Sequence, residues 1–173
     1  MDLRDVVSIL RNVHTGPVVI GFDGTPASAL AVREAGALFA PRAALVVFVW
    51  EAGRSFEEAT LPEQAVEAPG TVDLGNAFAA ERAASDEAAQ VADQGAALAR
   101  EAGLEASALA VPHDTTVADT LLRLARESNA PAVVVGAHAR HRLTKLSPSR
   151  TLADLLHAAP CPILVCVAPK PGS

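Results

Sequence analysis

The chain has 173 residues, half of them hydrophobic, and a formal net charge of −6. That length suits one compact domain with core enough to dispense with disulfides or a structural metal. The acidic balance argues against general affinity for nucleic acid or an anionic membrane surface, because its field repels polyanions. Aromatics make up only 3%, so the core has to be assembled from alanine and branched aliphatic side chains, which suits helices lying close on a sheet. No apolar run approaches the roughly 20 residues of a membrane span, and "MDLRDVVSILRN" at the start has acids and no uninterrupted apolar core. A cytoplasmic protein is expected, with no nucleic-acid or membrane partner.

After a lead-in over residues 1–15, "PVVIGF" (17–22) reads as a strand buried on both faces, since its apolar residues run on without alternation. In "DGTPASALAVREAGALFA", Thr25 can cap a helix and Pro26 sits at its first position, where a missing N–H costs nothing. A helix over about 26–40 follows, then a second buried strand, "ALVVFVW" (44–50). Residues 51–75 are acidic, hold proline and glycine and show no clean period, which reads as an excursion over the ligand edge. The alanine-rich stretch of about 76–102 predicts a long helix stopped by Gly103. "EASALAV" (105–111) is a weaker strand candidate. In "HDTTVADTLLRLARES", Asp114 or Thr115 offers a cap ahead of Val117, Leu121, Leu124 and Ala125 at helical spacing. "AVVVGA" (132–137) is a strand ended by Gly136. Ser147 and Pro148 repeat the cap-then-proline signal before "SRTLADLLHAA", and "PILVCV" (162–167) closes the pattern.

Strands alternating with helices in this order predict an α/β fold: a doubly wound parallel sheet with right-handed crossovers and helices on both faces, all within residues 16–169, with 170–173 as a tail. Cys161 and Cys166 are five apart, so an extended strand would turn them to opposite faces, and a reduced pair is expected.

In such a sheet ligands bind outside the carboxyl ends of the strands, where strand order reverses. Two loops qualify, "GFDGTPAS" and "GAHARHRLTKLSPSR", and they should be neighbours. Asp23 can accept from a ribose hydroxyl, hold a metal through water or cap the first helix. Gly24 and Thr25 present backbone N–H groups that favour an anion, and Gly136 allows close approach to the backbone. Arg140, Arg142 and Lys145 are either phosphate neutralisers or a solvated basic loop. The chain has no phosphate-loop signature, no dinucleotide fingerprint and no nucleophile elbow. His138 and His141 form an H-x-x-H without a nearby carboxylate or thiol, which reads as loop histidines rather than zinc ligands.

The first strand and turn "VVIGFDGTPASALAVREAGALFA", the fourth strand "APAVVVGAHAR" and the closing "HAAPCPILVCVAP" together resemble the universal stress protein family, in order and spacing, from about residue 16 to 169. The resemblance implies a five-stranded, Rossmann-like sheet of the adenine-nucleotide alpha-hydrolase type and a homodimer paired through the last strand, Pro162 to Val167. It also implies a stress-response role by binding and interaction rather than catalysis. Members that bind nucleotide carry G-x-x-G, nine residues, then G-[ST]. Here Gly136 matches the first position, while Ala139, Ser149 and Arg150 occupy the other three.

If positions 139 and 149 need left-handed backbone, each substitution costs about 1–2 kcal/mol. A charge-assisted contact from Arg150 offers about 1.5–3 kcal/mol in return, with Ser147, Ser149 and Thr151 keeping hydroxyls near the same helix end. In the nucleotide reading the ligand is ATP or AMP with Mg²⁺. Asp23 faces the ribose or the metal, Val49 meets the adenine, and Gly136 through Arg140, including His138, wraps the phosphates. The alternatives are a member whose pocket binds no nucleotide and a slow Mg²⁺-dependent nucleotide hydrolase using Asp23.

Overall fold

The β-branched runs form one parallel sheet. The structure, a computed structural model, describes residues 15–52, 74–112, 115–138 and 150–168. Its elements are β1 (Val18–Gly21), α1 (Pro26–Phe39), β2 (Ala43–Trp50), α2 (Leu74–Glu101), β3 (Glu105–Pro112), α3 (Val117–Glu127), β4 (Val133–His138), α4 (Arg150–Ala158) and β5 (Ile163–Ala168). The five strands lie in the order β3-β2-β1-β4-β5, all parallel. The weak candidate over 105–111 is the edge strand β3, in register with β2 along its whole length, from Ala43↔Glu105 to Trp50↔Pro112. An edge strand buries less, which is why its sequence carries less β-branched bulk.

β1 and β4, far apart in sequence, pair through Val19↔Val133 and Ile20↔Val134. The chain winds outward from β1 through β2 to β3, then returns to β4 and β5, so strand order reverses between β1 and β4. Val18, Ile20, Val46 and Val134 pack under α1 and α2 on one face. Val19, Val47 and Val133 pack with Leu121, Leu122 and Leu155 of α3 and α4 on the other. The doubly wound arrangement expected from the sequence is therefore present, and β1, buried on both faces at Val18, Val19 and Ile20, shows why its apolar run has no alternation.

The punctuation of the helices holds in most places. Thr25 caps α1 with Pro26 at the first position, and Gly103 has φ +89° just past α2, a left-handed backbone that an L side chain resists. The cap of α3 is Thr116 rather than Asp114 or Thr115: its hydroxyl accepts from the Asp119 N–H at 3.0 Å. Asp114, Ser147, Pro148 and most of the 51–75 excursion lie outside the described residues, and α4 is described from Arg150. Cys161 sits in the turn before β5 rather than within it, yet the two cysteines do serve opposite faces. Cys166 packs under α1 and α2, Cys161 beside the α3 and α4 core, and both are free thiols.

β4 continues past Gly136 to His138, so Gly136 lies inside the strand. A Cβ there would collide with the backbone of Ala27 and Ser28, in the first turn of α1. The glycine is required because another backbone crosses it, not because the strand ends. Backbone cannot step aside as a side-chain tip can, so Gly136→Ala should lower stability by about 2–3 kcal/mol, read as a drop in the denaturant midpoint at unchanged m-value.

Candidate functional site

The reversal between β1 and β4 leaves a crevice at the carboxyl ends of the strands, where two neighbouring loops part to opposite faces. A cleft of about 290 Å³ occupies that place. Its floor is apolar: Gly21 from β1, Val47 and Val49 from β2, and Val135 from β4, walled by Val117 and Leu121 of α3 and by Leu152 and Leu155 of α4. Asp23, Ser28 and Thr151 are its side-chain carboxylate and hydroxyls, while the Phe22 ring packs on the opposite face of the sheet, against Gly95 of α2. An apolar floor with few polar groups is the usual make-up of a small-molecule site.

The polar rim is tied together locally. The Thr25 N–H donates to Asp23 Oδ1 at 3.0 Å, and the Thr25 hydroxyl donates to the same oxygen at 2.6 Å. Thr25 Oγ1 in turn accepts from the Ser28 N–H at 3.2 Å, which is the helix cap. Ser28, buried, donates through Oγ to the Thr25 carbonyl at 3.0 Å, and the Asp23 N–H donates to Ser28 Oγ at 3.3 Å. Asp23 therefore does not cap α1 itself; it braces the residue that does. Desolvation against the cleft wall pushes the Asp23 carboxyl pKa up, but hydrogen bonds from the Thr25 and Ser28 side chains and from backbone N–H groups outweigh this and leave it below the ordinary aspartate value. The carboxylate stays ionised at neutral pH.

Four of the residues singled out from the sequence meet in the cleft: Asp23, Val49, Gly136 and Thr151. Gly24 (φ +77°) and Thr25 shape the turn beside it without lining it, and the Thr25 N–H expected to attract an anion is already committed to Asp23. Arg150 is exposed at the first position of α4, next to Thr151 and outside the lining. His138 closes β4. Ala139, Arg140, His141, Arg142, Lys145 and Ser149 lie outside the described residues. Sequence reasoning missed Gly21, Ser28, Val117, Leu121, Val135, Leu152 and Leu155. Ser28, three residues after the cap, was within reach of a capping argument; the apolar ones look like any other core position until the fold gathers them.

The model of the family described as "Universal stress protein family" matches residues 14–167. The chain belongs to the universal stress protein family. No curated protein matches it by sequence. Among solved structures it is similar to a universal stress family protein from Burkholderia pseudomallei, with 23% identity and a TM-score of 0.57 over 89% of this chain and 97% of that one. It is also similar to a universal stress family protein from Arabidopsis thaliana with AMP bound, with 11% identity and a TM-score of 0.56 over 91% and 97%. A third is the universal stress protein from Archaeoglobus fulgidus in complex with dAMP, with 15% identity and a TM-score of 0.52 over 87% and 97%. These likenesses establish the α/β fold of the universal stress proteins for this chain. Among the described residues no helix is long and apolar enough to cross a membrane, and none form a cluster of three or more His, Cys, Asp or Glu that could hold a metal.

Because the Asp23 pKa is depressed on folding, its stabilising contribution is full above the unfolded aspartate value near pH 4 and is lost as pH falls from there through the folded value. Thr25→Ala removes the cap and a hydroxyl donor to Asp23 at once. It should cost about 1 kcal/mol at pH 7 and move the Asp23 carboxyl titration, followed by NMR, back up toward the ordinary value.

Proposed function

We propose that this universal stress protein acts by binding an adenine nucleotide, ATP or AMP, in the cleft between β1 and β4, and that it works as a homodimeric binding and interaction protein rather than as a catalyst. The observation that carries this reading is the cleft itself. Its apolar floor, its ionised Asp23 and its hydroxyls at Ser28 and Thr151 lie at the strand-order reversal, where a nucleotide finds a surface for its base and acceptors for its ribose. Two structural neighbours of the same family were solved with AMP and dAMP.

In this reading Val49 and its neighbours face the adenine, and Asp23 accepts from the ribose or reaches a Mg²⁺ ion. Asp23 is the one carboxylate among the described lining residues, which fits a Mg²⁺ that takes its remaining ligands from phosphate and water; bound there, the ion would neutralise phosphate charge. Thr151 and Arg150, at the N-terminus of α4, serve the phosphate end, the role that sequence position in the family motif also gives to Gly136, His138, Ala139, Arg140 and Ser149. Arg150 then supplies the charge that compensates for the glycines missing at 139 and 149.

The homodimer is supported by the position of β5 at the sheet edge. On the face that carries α4, Val167 of β5 and Leu156 of α4 are each 56% exposed. An open edge with apolar neighbours is a surface that proteins cover.

Calorimetric titration with AMP and ATP, after native mass spectrometry to detect co-purified ligand, tests the nucleotide reading. Binding is expected, weakened about tenfold or more in Arg150→Ala; no heat at millimolar nucleotide would overturn the reading. Val167→Arg should convert the dimer to monomer in light scattering, and an unchanged mass would overturn pairing through β5.

A further inference from the structure

An edge strand offers its outward N–H and C=O groups to any extended chain that comes alongside, a second copy of the same protein included. The edges of this sheet are β3 and β5, and their outward groups are not alike.

The Glu105 N–H at the start of β3 donates to the Arg42 carbonyl, just ahead of β2, at 3.1 Å. Bonding direction alternates along a strand as the side chains do. Glu105, Ser107, Leu109 and Val111 therefore turn their backbone groups toward β2, and Ala106, Ala108, Ala110 and Pro112 turn theirs outward. Arg100, in the last turn of α2, reaches this edge: its Nε donates to the Ala106 carbonyl at 2.9 Å. At the far end Pro112 has no N–H to offer. What remains open is the stretch of Ala108 and Ala110, shorter than a strand needs for stable pairing. In β5 the Pro162 carbonyl accepts from Val133 of β4 at 3.0 Å, so the same alternation turns Ile163, Val165 and Val167 outward. That run holds no proline, and Val167 is 56% exposed.

We infer that Arg100 limits how the chain assembles: its bond to Ala106 closes the β3 edge to the β3 of another copy and leaves β5 as the edge that pairs. The inference takes the homodimer through β5 from the proposed function as its starting assembly. A dimer joined at β5 carries a β3 at each end of its combined sheet. Two open ends would let dimers add end to end without closing, the geometry of a fibre. An incoming strand has to displace the guanidinium before its own N–H reaches the Ala106 carbonyl. A cation near the C-terminus of α2 also suits the helix dipole, but that role needs no carbonyl from β3.

The test is the mass by light scattering, across a dilution series, of the wild type, Arg100→Ala, Arg100→Met and the double variant Arg100→Ala with Ala108→Pro, with the melting temperature of each. Methionine keeps the stem on α2 and removes the donor. Proline at 108 takes away the central outward N–H, a change tolerated where that group faces solvent. Arg100→Ala and Arg100→Met are expected to reach about twice the wild-type mass or more as concentration rises, and the double variant is expected to return to the wild-type mass. Both alanine variants lack the same Arg100 bond, so a difference in mass between them reports the edge rather than lost stability. If Arg100→Ala and Arg100→Met keep the wild-type mass at every concentration, the inference is overturned, whatever their melting temperatures. Larger species that persist in the double variant overturn it too, because they do not use β3. If the wild type is a monomer and Arg100→Met doubles its mass, the β5 dimer reading fails and the inference stands.

Discussion

The crossing of α1 over β4 is the contact on which the site depends. At Gly136 the first turn of the helix comes so near the strand that no side chain fits between them. This approach, with the packing of α1 under β4 and β5, fixes where the helix begins relative to the strand ends. Because the helix begins there, Thr25 caps it there, and because Thr25 is fixed, Asp23 and Ser28 are fixed with it. One missing Cβ in the fourth strand thus sets the position of a carboxylate attached to the first. The hydrogen bonds on the rim are individually modest, and it is the rigid packing beneath them that aims them into the cleft.

The opposite face is held differently. α3 packs over β1, β2 and β4 with five buried side chains, whereas α4 has one, Leu155, at 1% exposure. α4 is also tied to α3, where Arg126 donates to the Ala158 carbonyl at 2.8 Å and satisfies one of the orphan acceptors at the helix C-terminus. α4 is therefore anchored in its middle and at its far end, while its first turn brings Thr151 and Leu152 to the cleft. The wall made by α1 is fixed by backbone contact; in the wall made by α4 the buried side chain is Leu155.

The strands were legible because burial on both faces leaves a run of β-branched residues that nothing else explains, and β1 is the clearest case. β3 was faint for the complementary reason: as an edge it needs less bulk. Thr25 and Pro26 announced α1 in two letters, but the cap of α3, expected at Asp114 or Thr115, falls at Thr116, since all three have short oxygen-bearing side chains and only the geometry relative to Asp119 selects the last. In the site, the polar residues Asp23 and Thr151 were readable from their places beside strand and helix ends. Leu121, Leu152 and Leu155 were not, because a leucine lining a cleft and a leucine filling a core obey the same helical period. Gly136 was noticed for a reason the structure replaces. A glycine near a strand end suggests ligand approach, and sequence cannot tell that from the approach of a helix 110 residues earlier in the chain.

That distinction bears on what a degenerate motif means. The floor of the cleft is built by β1, β2, β4 and the flanks of α3 and α4, while the residues that depart from the family pattern, Ala139, Ser149 and Arg150, belong to the connection between β4 and α4 and to the first position of that helix. The two groups share no side chain. Substitution in the second group alters charge and hydroxyls, whereas the described floor is made of apolar side chains from the first. Conservation of Gly136 would be enforced by folding even in a chain that bound nothing, so its presence carries no weight for or against a nucleotide. The weight falls instead on a feature that folding does not require: an ionised carboxylate held at the rim of an apolar cleft.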